Sequence, residues 1–348
     1  MAVATGWAAP QSAVSDEALA IHRTLTVVDG SSTGFHGWNE RLERSGATAI
    51  NITLAAGGTD FLAACRNIEA ALTVIDQNQE HMFLARSVAD IRRAKREGKL
   101  AVVFNFQNGH PIENSLSKLL VFRELGVRNI QITYNERNFI GDGCTEPANS
   151  GLSTFGREVV KAMNRWGITI DLSHVGERTS LEAIELSELP CVFTHNNPRA
   201  RADNPRNATD EQIKRCAERG GVIGVCGWGP MVWTGGDKAP DVDDLVGHIQ
   251  YIADLVGVDH VGIGTDSQST TDLTYIRGHA SRVNGTSPMT TAAFLAKFGN
   301  GLEYRYPAAV DHLPEVTDKL LARGWSQADL AKVMGENLLR VWEQVWGS

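Results

Sequence analysis

Eight short runs of β-branched and aliphatic residues, each followed by a longer stretch with helical periodicity, leave this chain few architectures to adopt. The runs cover 25–29, 47–54, 101–107, 129–134, 168–172, 191–195, 222–226 and 260–266. Strands that alternate with amphipathic helices predict βα units and a parallel sheet, because parallel neighbours need a crossover between them. Eight such units are what a closed (β/α)8 TIM barrel requires. The intervening stretches predict helices over 88–97, 115–125, 154–166, 179–186, 210–219 and 241–256. Ser87 and Thr209 stand where N-caps belong, and Gly98, Gly126, Gly167 and Gly220 stand where helices should end.

The 348 residues then form a single barrel domain. Residues 1–20 read as an N-terminal extension, 267–288 as a Ser-, Thr- and Gly-rich loop over the barrel mouth, and 313–346 as two C-terminal helices packed outside. A net charge of −8 with scattered basic residues argues against a nucleic-acid partner. No apolar run approaches the roughly 20 residues that span a bilayer, so no membrane association is expected. The first residues lack the pattern of a secretory signal, and the five cysteines, Cys65, Cys144, Cys191, Cys216 and Cys226, form no CxxC pair. Reduced thiols in a cytoplasmic protein are the expectation.

In a barrel of this kind the βα loops converge at the carboxyl ends of the strands, so polar residues there are the ones to weigh. In chain order they are Asp29, Gln107, Tyr134, His174, His195 and Asp266. Imidazoles on neighbouring strand ends can share one divalent cation, with Asp266 as a further ligand or as a base. Arg206, between the sixth strand and its helix, has two readings: a guanidinium that grips a substrate carboxylate, or a surface residue paired with Asp210 or Glu211. The segment Gly141-Asp142-Gly143-Cys144 lacks a phosphate-loop lysine and reads as a turn. His36, His110, His260 and the Cys144 thiol read as structural.

Several segments resemble the membrane (renal) dipeptidase family, peptidase family M19 of the amidohydrolase superfamily. They are Val-Val-Asp-Gly at 27–30, Gln-Asn-Gly-His-Pro-Ile-Glu-Asn-Ser-Leu at 107–116, Leu-Gly-Val-Arg-Asn-Ile-Gln-Ile-Thr-Tyr-Asn at 125–135, and Asp-Leu-Ser-His at 171–174. Phe-Thr-His-Asn at 193–196, Gly-Ile-Gly-Thr-Asp at 262–266 and Met-Gly-Glu-Asn-Leu-Leu-Arg-Val at 334–341 follow in the family's order. The resemblance implies an amidohydrolase-like barrel, a zinc-dependent dipeptide hydrolase with two hydroxide-bridged metal ions, and a homodimer. It implies that His174 and His195 bind one metal, that Asp266 handles the proton, and that Arg206 binds the substrate carboxylate, with Tyr134 and Asn135 beside it.

The departures are as informative. Ser31-Ser32-Thr33 replaces the family's His-x-Asp, Gln107 replaces the bridging glutamate, and Tyr134 replaces a histidine that polarises the scissile carbonyl. Two divalent ions need several carboxylates around them, and of the family's acidic groups only Asp266 remains, so a binuclear centre is not expected. One ion is: His174, His195, Gln107 and Asp266 make a near-neutral set for a single divalent metal, zinc by analogy. The expectation is a mononuclear metal-dependent hydrolase of an amide or peptide-like bond in a small carboxylate-bearing substrate. Asp266 and Tyr134 would then be the catalytic pair. A metal-independent lyase, decarboxylase or isomerase on the same scaffold, and a non-catalytic pseudoenzyme, are the alternatives.

Overall fold

Each expected strand run enters one sheet, and the order of its strands explains why the site residues meet. The computed structural model describes residues 14–270, 289–298 and 308–347. Its strands are β1 (Val28–Thr33), β2 (Ala49–Ala56), β3 (Met82–Leu84), β4 (Leu100–Gln107), β5 (Val127–Gln131), β6 (Thr169–Asp171), β7 (Val192–Phe193), β8 (Val222–Cys226), β9 (Val261–Gly264) and β10 (Ser267–Gln268). All pair in parallel in the order β10-β1-β2-β4-β5-β6-β7-β8-β9, with β3 added beside β4. Only Thr265 and Asp266 separate β9 from β10, so one chain segment pairs with β8 on one side and with β1 on the other. The sheet therefore closes into an eight-membered (β/α)8 ring.

The expected helix punctuation is present. Ser87 and Asp90 form a capping box on the helix Val88–Glu97, Thr209 and Gln212 form another on Asp210–Glu218, and Gly98 and Gly167 take left-handed conformations behind their helices. Strand limits differ from the sequence reading where polar residues stay in the ladder. The first strand was expected over 25–29 but runs over Val28–Thr33, because Ser32 and Thr33 find partners in Ser267 and Gln268 of the closing strand. The same pairing means that the loop expected over 267–288 begins as strand; its remainder, 271–288, lies outside the described residues. The helix Phe61–Gln77 and β3 carry no signal used in that reading.

The amino-terminal segment differs as well, and the last helix has a particular place. Residues 1–13 of the expected extension lie outside the described residues, but Asp16–Thr24 is a helix capped by Ser15. It docks on Leu313–Ala322 through a His22 Nδ1 to Thr317 Oγ1 contact of 2.7 Å and a Ser15 to Asp318 bond of 2.5 Å. The last helical stretch was expected outside the barrel. Its final part, Asn337–Trp346, packs against Val28, Ala49, Val192 and Val222, each the first residue of its strand, and so lies outside the ring across its amino-terminal floor. Gly335 makes this possible: a Cβ there would lie 2.1 Å from the carbonyl of Thr26, and the backbone around it, Lys332–Glu336, is a π-helical turn.

Glycines also shape the upper interior. A Cβ at Gly224 would lie 2.1 Å from the Thr194 carbonyl, and one at Gly264 would lie 1.9 Å from it. The end of β7 thus bends inward over two bare backbones, which carries His195 toward the barrel axis. Gly264→Ala is expected to destabilise the fold by about 1–3 kcal/mol, the range for forced overpacking. Urea denaturation reads this directly, and an unchanged midpoint would show that the bend is not held by contact. Among the described residues no helix is long and apolar enough to cross a membrane.

Candidate active site

Three of the strand-end residues share an uncommon backbone. Asn135, His174 and Asp266 have φ of 54°, 64° and 53°, in a left-handed region that non-glycine residues enter mainly as Asn, Asp or His. Such conformations persist where the surrounding structure over-determines them, and they gather at functional sites. Each lies two to four residues past the end of a strand, and each side chain bonds to another residue of the site, Asn135 to His174 and Asp266 to Gln107.

The imidazoles meet there. His174 Nε2 lies 3.1 Å from His195 Nε2, and both rings are buried. Behind them, His174 Nδ1 donates to Asn135 Oδ1 at 2.7 Å, and His195 Nδ1 is hydrogen-bonded to Thr194 Oγ1 at 2.8 Å. With a proton on each Nδ1, both Nε2 lone pairs would face the same point, an arrangement that a shared cation relieves; with a proton on one Nε2 the two rings would be hydrogen-bonded to each other. Burial, reinforced by the nearby Arg206 charge, holds both rings well below the usual histidine pKa, so both are neutral at physiological pH.

Asp266 takes a different partner from the one expected. Its Oδ1 accepts a 3.1 Å bond from Gln107 Nε2, whose amide also donates to Ser31 Oγ at 3.1 Å. Among the described residues no three His, Cys, Asp or Glu side chains form a metal-binding group. Within the expected set of His174, His195, Gln107 and Asp266 there are two direct pairings. The two imidazoles converge, while Gln107 and Asp266 satisfy each other. Burial pushes the Asp266 carboxyl up to about 6 against the opposing pull of Gln107 and Arg206. That value suits a group that exchanges protons near neutrality.

Tyr134 stacks on His174 with ring centroids 4.1 Å apart and 22° between planes. Burial, with a smaller push from the Asp266 charge, raises its phenol to about 12, so it stays protonated and able to donate. Asn135, expected beside the substrate, turns its oxygen to His174 and also accepts the Cys144 thiol proton at 3.4 Å. Burial raises the Cys144 pKa, as a structural thiol requires.

Of the two readings of Arg206, the surface ion pair is the one the structure excludes. The residue is 3% exposed and makes no ion pair among the described residues. It donates to Asn196 Oδ1 and, at 3.0 Å, to the His195 carbonyl, while its Nε has no partner. Asn204 and Asn207 pin the surrounding loop to the carbonyls of Pro230 and Met231 at 3.0 Å each. A buried cation with no ion-pair partner among the described residues stands beside two neutral imidazoles, within electrostatic reach of Asp266.

The sequence reading missed Asp171, Thr194 and Thr265. Asp171 accepts from the backbone of Ser173 and Thr194 and from the Thr194 hydroxyl. Asp29 accepts from Thr265 in the same way. A signal was present: Asp-x-Ser occurs at 29–31 and again at 171–173, and a Thr precedes both His195 and Asp266.

A closed parallel barrel with imidazoles and a carboxylate gathered at its carboxyl-terminal mouth is the architecture of the amidohydrolase superfamily. The chain belongs to the membrane dipeptidase family, peptidase family M19, whose sequence model matches residues 40–282 and 299–346. A crystal structure of an amidohydrolase from Pseudomonas aeruginosa is 34% identical, with a TM-score of 0.81 over 95% of this chain and 99% of that one. A metallo peptidase from Rhodobacter sphaeroides, crystallised with a phosphinate mimic of the dipeptide L-Ala-D-Ala, has the same fold at 20% identity, with a TM-score of 0.76 over 93% of this chain and 100% of that one. The dipeptidase tcpJ of Claviceps purpurea is 28% identical over 315 residues, 87% of this chain and 67% of its own length. The dipeptidase verJ of Clonostachys rogersoniana is 28% identical over 286 residues, 81% and 65% of the two chains. The chain thus spans about two thirds of the length of these curated relatives.

Proposed function

We propose that this protein hydrolyses an amide or peptide-like bond in a small substrate that carries a carboxylate, with one divalent cation, zinc by analogy with the family, held by His174 and His195. One observation carries the reading: a single buried site presents two opposite demands. Convergent imidazole lone pairs call for a cation, and the Arg206 guanidinium, with no ion-pair partner among the described residues and a bare Nε, calls for an anion.

A two-metal centre does not fit these residues. Ser31, Ser32 and Thr33 offer only hydroxyls, and the Ser31 oxygen already accepts from Gln107. A single ion does fit: two nitrogens on one tetrahedral zinc stand roughly 3.3 Å apart, close to the 3.1 Å found here. When bound, such an ion supplies an electrophile and brings the pKa of a water down to about 7. Arg206 would orient the substrate through its carboxylate. Asp266, held by Gln107, would accept a proton from the attacking water and return it to the leaving nitrogen, and the Tyr134 hydroxyl would donate to the oxyanion as it develops.

The test is calorimetric titration of zinc into chelator-treated protein, followed by assay on carboxylate-bearing dipeptides. Near one equivalent per chain is expected, absent in His174→Ala, with turnover that chelator removes and zinc restores. Binding far below one equivalent after reloading would overturn the proposal. A second reading, a lyase, decarboxylase or isomerase that uses Asp266 and Tyr134 as acid and base, is favoured by the absence of a third charged ligand among the described residues. Turnover that persists in strong chelator would select it.

A further inference from the structure

One hydrogen-bonding device is built twice in this barrel, on opposite sides of the site. On β6, Asp171 Oδ1 accepts the backbone N–H groups of Ser173 and Thr194, each at 3.0 Å, and Oδ2 accepts the Thr194 hydroxyl at 2.6 Å. On β1, Asp29 Oδ1 accepts the backbone N–H groups of Thr265 at 2.7 Å and Ser31 at 3.3 Å, and Oδ2 accepts the Thr265 hydroxyl at 2.7 Å. Both aspartates are buried, and each clamps the threonine that precedes a site residue, His195 in one case and Asp266 in the other.

The two clamps end differently. Thr265 Oγ1 passes on to Ser267 Oγ at 2.9 Å, and Ser267 Oγ accepts the Val310 N–H at 2.9 Å, so this branch secures the closing strand. Thr194 Oγ1 passes on to an imidazole nitrogen, His195 Nδ1, at 2.8 Å. A hydroxyl has one proton to give. When that proton goes to the Asp171 carboxylate, Thr194 can only accept from the ring, so Nδ1 must carry the hydrogen and Nε2 is left with a bare lone pair.

We propose that Asp171 is a positioning residue that selects the tautomer of His195 through the Thr194 hydroxyl, and that Asp29 is its structural twin, with no imidazole at the end of its relay. The consequence for ion binding rests on the function proposed above; the tautomer does not. Without Asp171 as acceptor, the Thr194 hydroxyl is free to turn its proton to the ring. His195 would then place an N–H, instead of a lone pair, against His174 Nε2.

Asp171→Asn tests this with almost no change of shape. The asparagine oxygen keeps the two backbone donors, its NH2 occupies the place of Oδ2, and Thr194 must accept from it, which turns its proton toward His195 Nδ1 at 2.8 Å, nearer than Ser173 Oγ at 3.4 Å. Long-range nitrogen–proton NMR of histidine-labelled, metal-free protein reads the tautomer directly. His195 is expected as Nδ1–H in the wild type, Nε2–H in Asp171→Asn, and Nδ1–H in Asp29→Asn, whereas a merely structural role for Asp171 would alter melting and leave the tautomer alone. Where Asp171→Asn does not fold, Thr194→Val is expected to lose the pure Nδ1–H signature and Thr194→Ser to retain it. Zinc affinity should fall about 10- to 100-fold in Asp171→Asn, the usual effect of removing a ligand's supporting partner. An Nε2–H signal in the wild type, or an unchanged tautomer in folded Asp171→Asn or Thr194→Val, would overturn the proposal. Tautomers that follow the expected pattern in a protein that binds no zinc would sink the ion reading and leave the role of Asp171 intact.

Discussion

Arg206→Met is expected to lower kcat/KM on a carboxylate-bearing substrate by about a hundred- to a thousandfold, the 3–4 kcal/mol typical of truncating one partner of a desolvated charge pair, and to leave the fold at least as stable. The two effects have opposite causes. In the free protein the guanidinium is buried with only neutral acceptors, Asn196 and the His195 carbonyl, and with Nε unpartnered. Its desolvation is offset only by those bonds and by the Asp266 charge, and an apolar side chain of similar volume removes that penalty. The loss should fall mainly on KM, because the carboxylate is held in the ground state as well as in the transition state. Arg206→Lys should not restore binding, since an ammonium lacks the planar fork that takes a carboxylate with two parallel bonds. Steady-state kinetics and thermal melts measure both halves. A variant with unchanged KM would remove the carboxylate from the proposal, and a variant that melts far below the wild type would show Arg206 to be structural.

The second large effect concerns Asp266. Asp266→Asn is expected to reduce kcat by about 10²–10⁴-fold, the range for loss of a positioned general base. In the wild type, kcat/KM should rise with pH through about 6, where burial has brought this carboxyl, because the ionised form does the work. That limb should vanish in the variant. If it persists, another group sets it; Asp29, raised by burial to about 7, is the nearest in pKa.

Stability carries the opposite sign. The folded pKa lies above the unfolded value of about 3.9, so the native state holds this proton more tightly. The ionised carboxylate then weakens the fold as pH rises from about 4 to about 6, by up to roughly 3 kcal/mol. Asp266→Asn removes that penalty. Its stability relative to the wild type should therefore be most favourable at pH 7 and lose the advantage as pH falls through 6 toward 4. The buried histidines, whose lowered pKa values act in the other direction, are common to both proteins and cancel in the difference.

The residues that matter most to the ring were readable because the signals are local. A run such as 222–226, bounded by Gly220 and Gly227, has only one way to pair when every neighbour is separated from it by a helix. Polar residues at the ends of such runs, His174, His195 and Asp266 among them, must then face one mouth. Limits were less legible where a polar strand end depends on a distant partner, as Ser32 and Thr33 depend on Ser267 and Gln268.

Periodicity, helix caps and strand-end chemistry therefore determined the barrel and the cast of its site from the chain alone, since each depends on neighbours a few residues away. What the cast does was decided by contacts between residues far apart in sequence. Gln107 meets Asp266 across 159 positions, Asp29 meets Thr265 across 236, and the final helix seals the floor under β1. Whether Arg206 is a surface charge or a buried anion trap likewise depends on its loop, whose Asn204 and Asn207 bond to Pro230 and Met231 just past β8. Burial and hydrogen-bond direction are properties of the closed ring, and no local pattern encodes them.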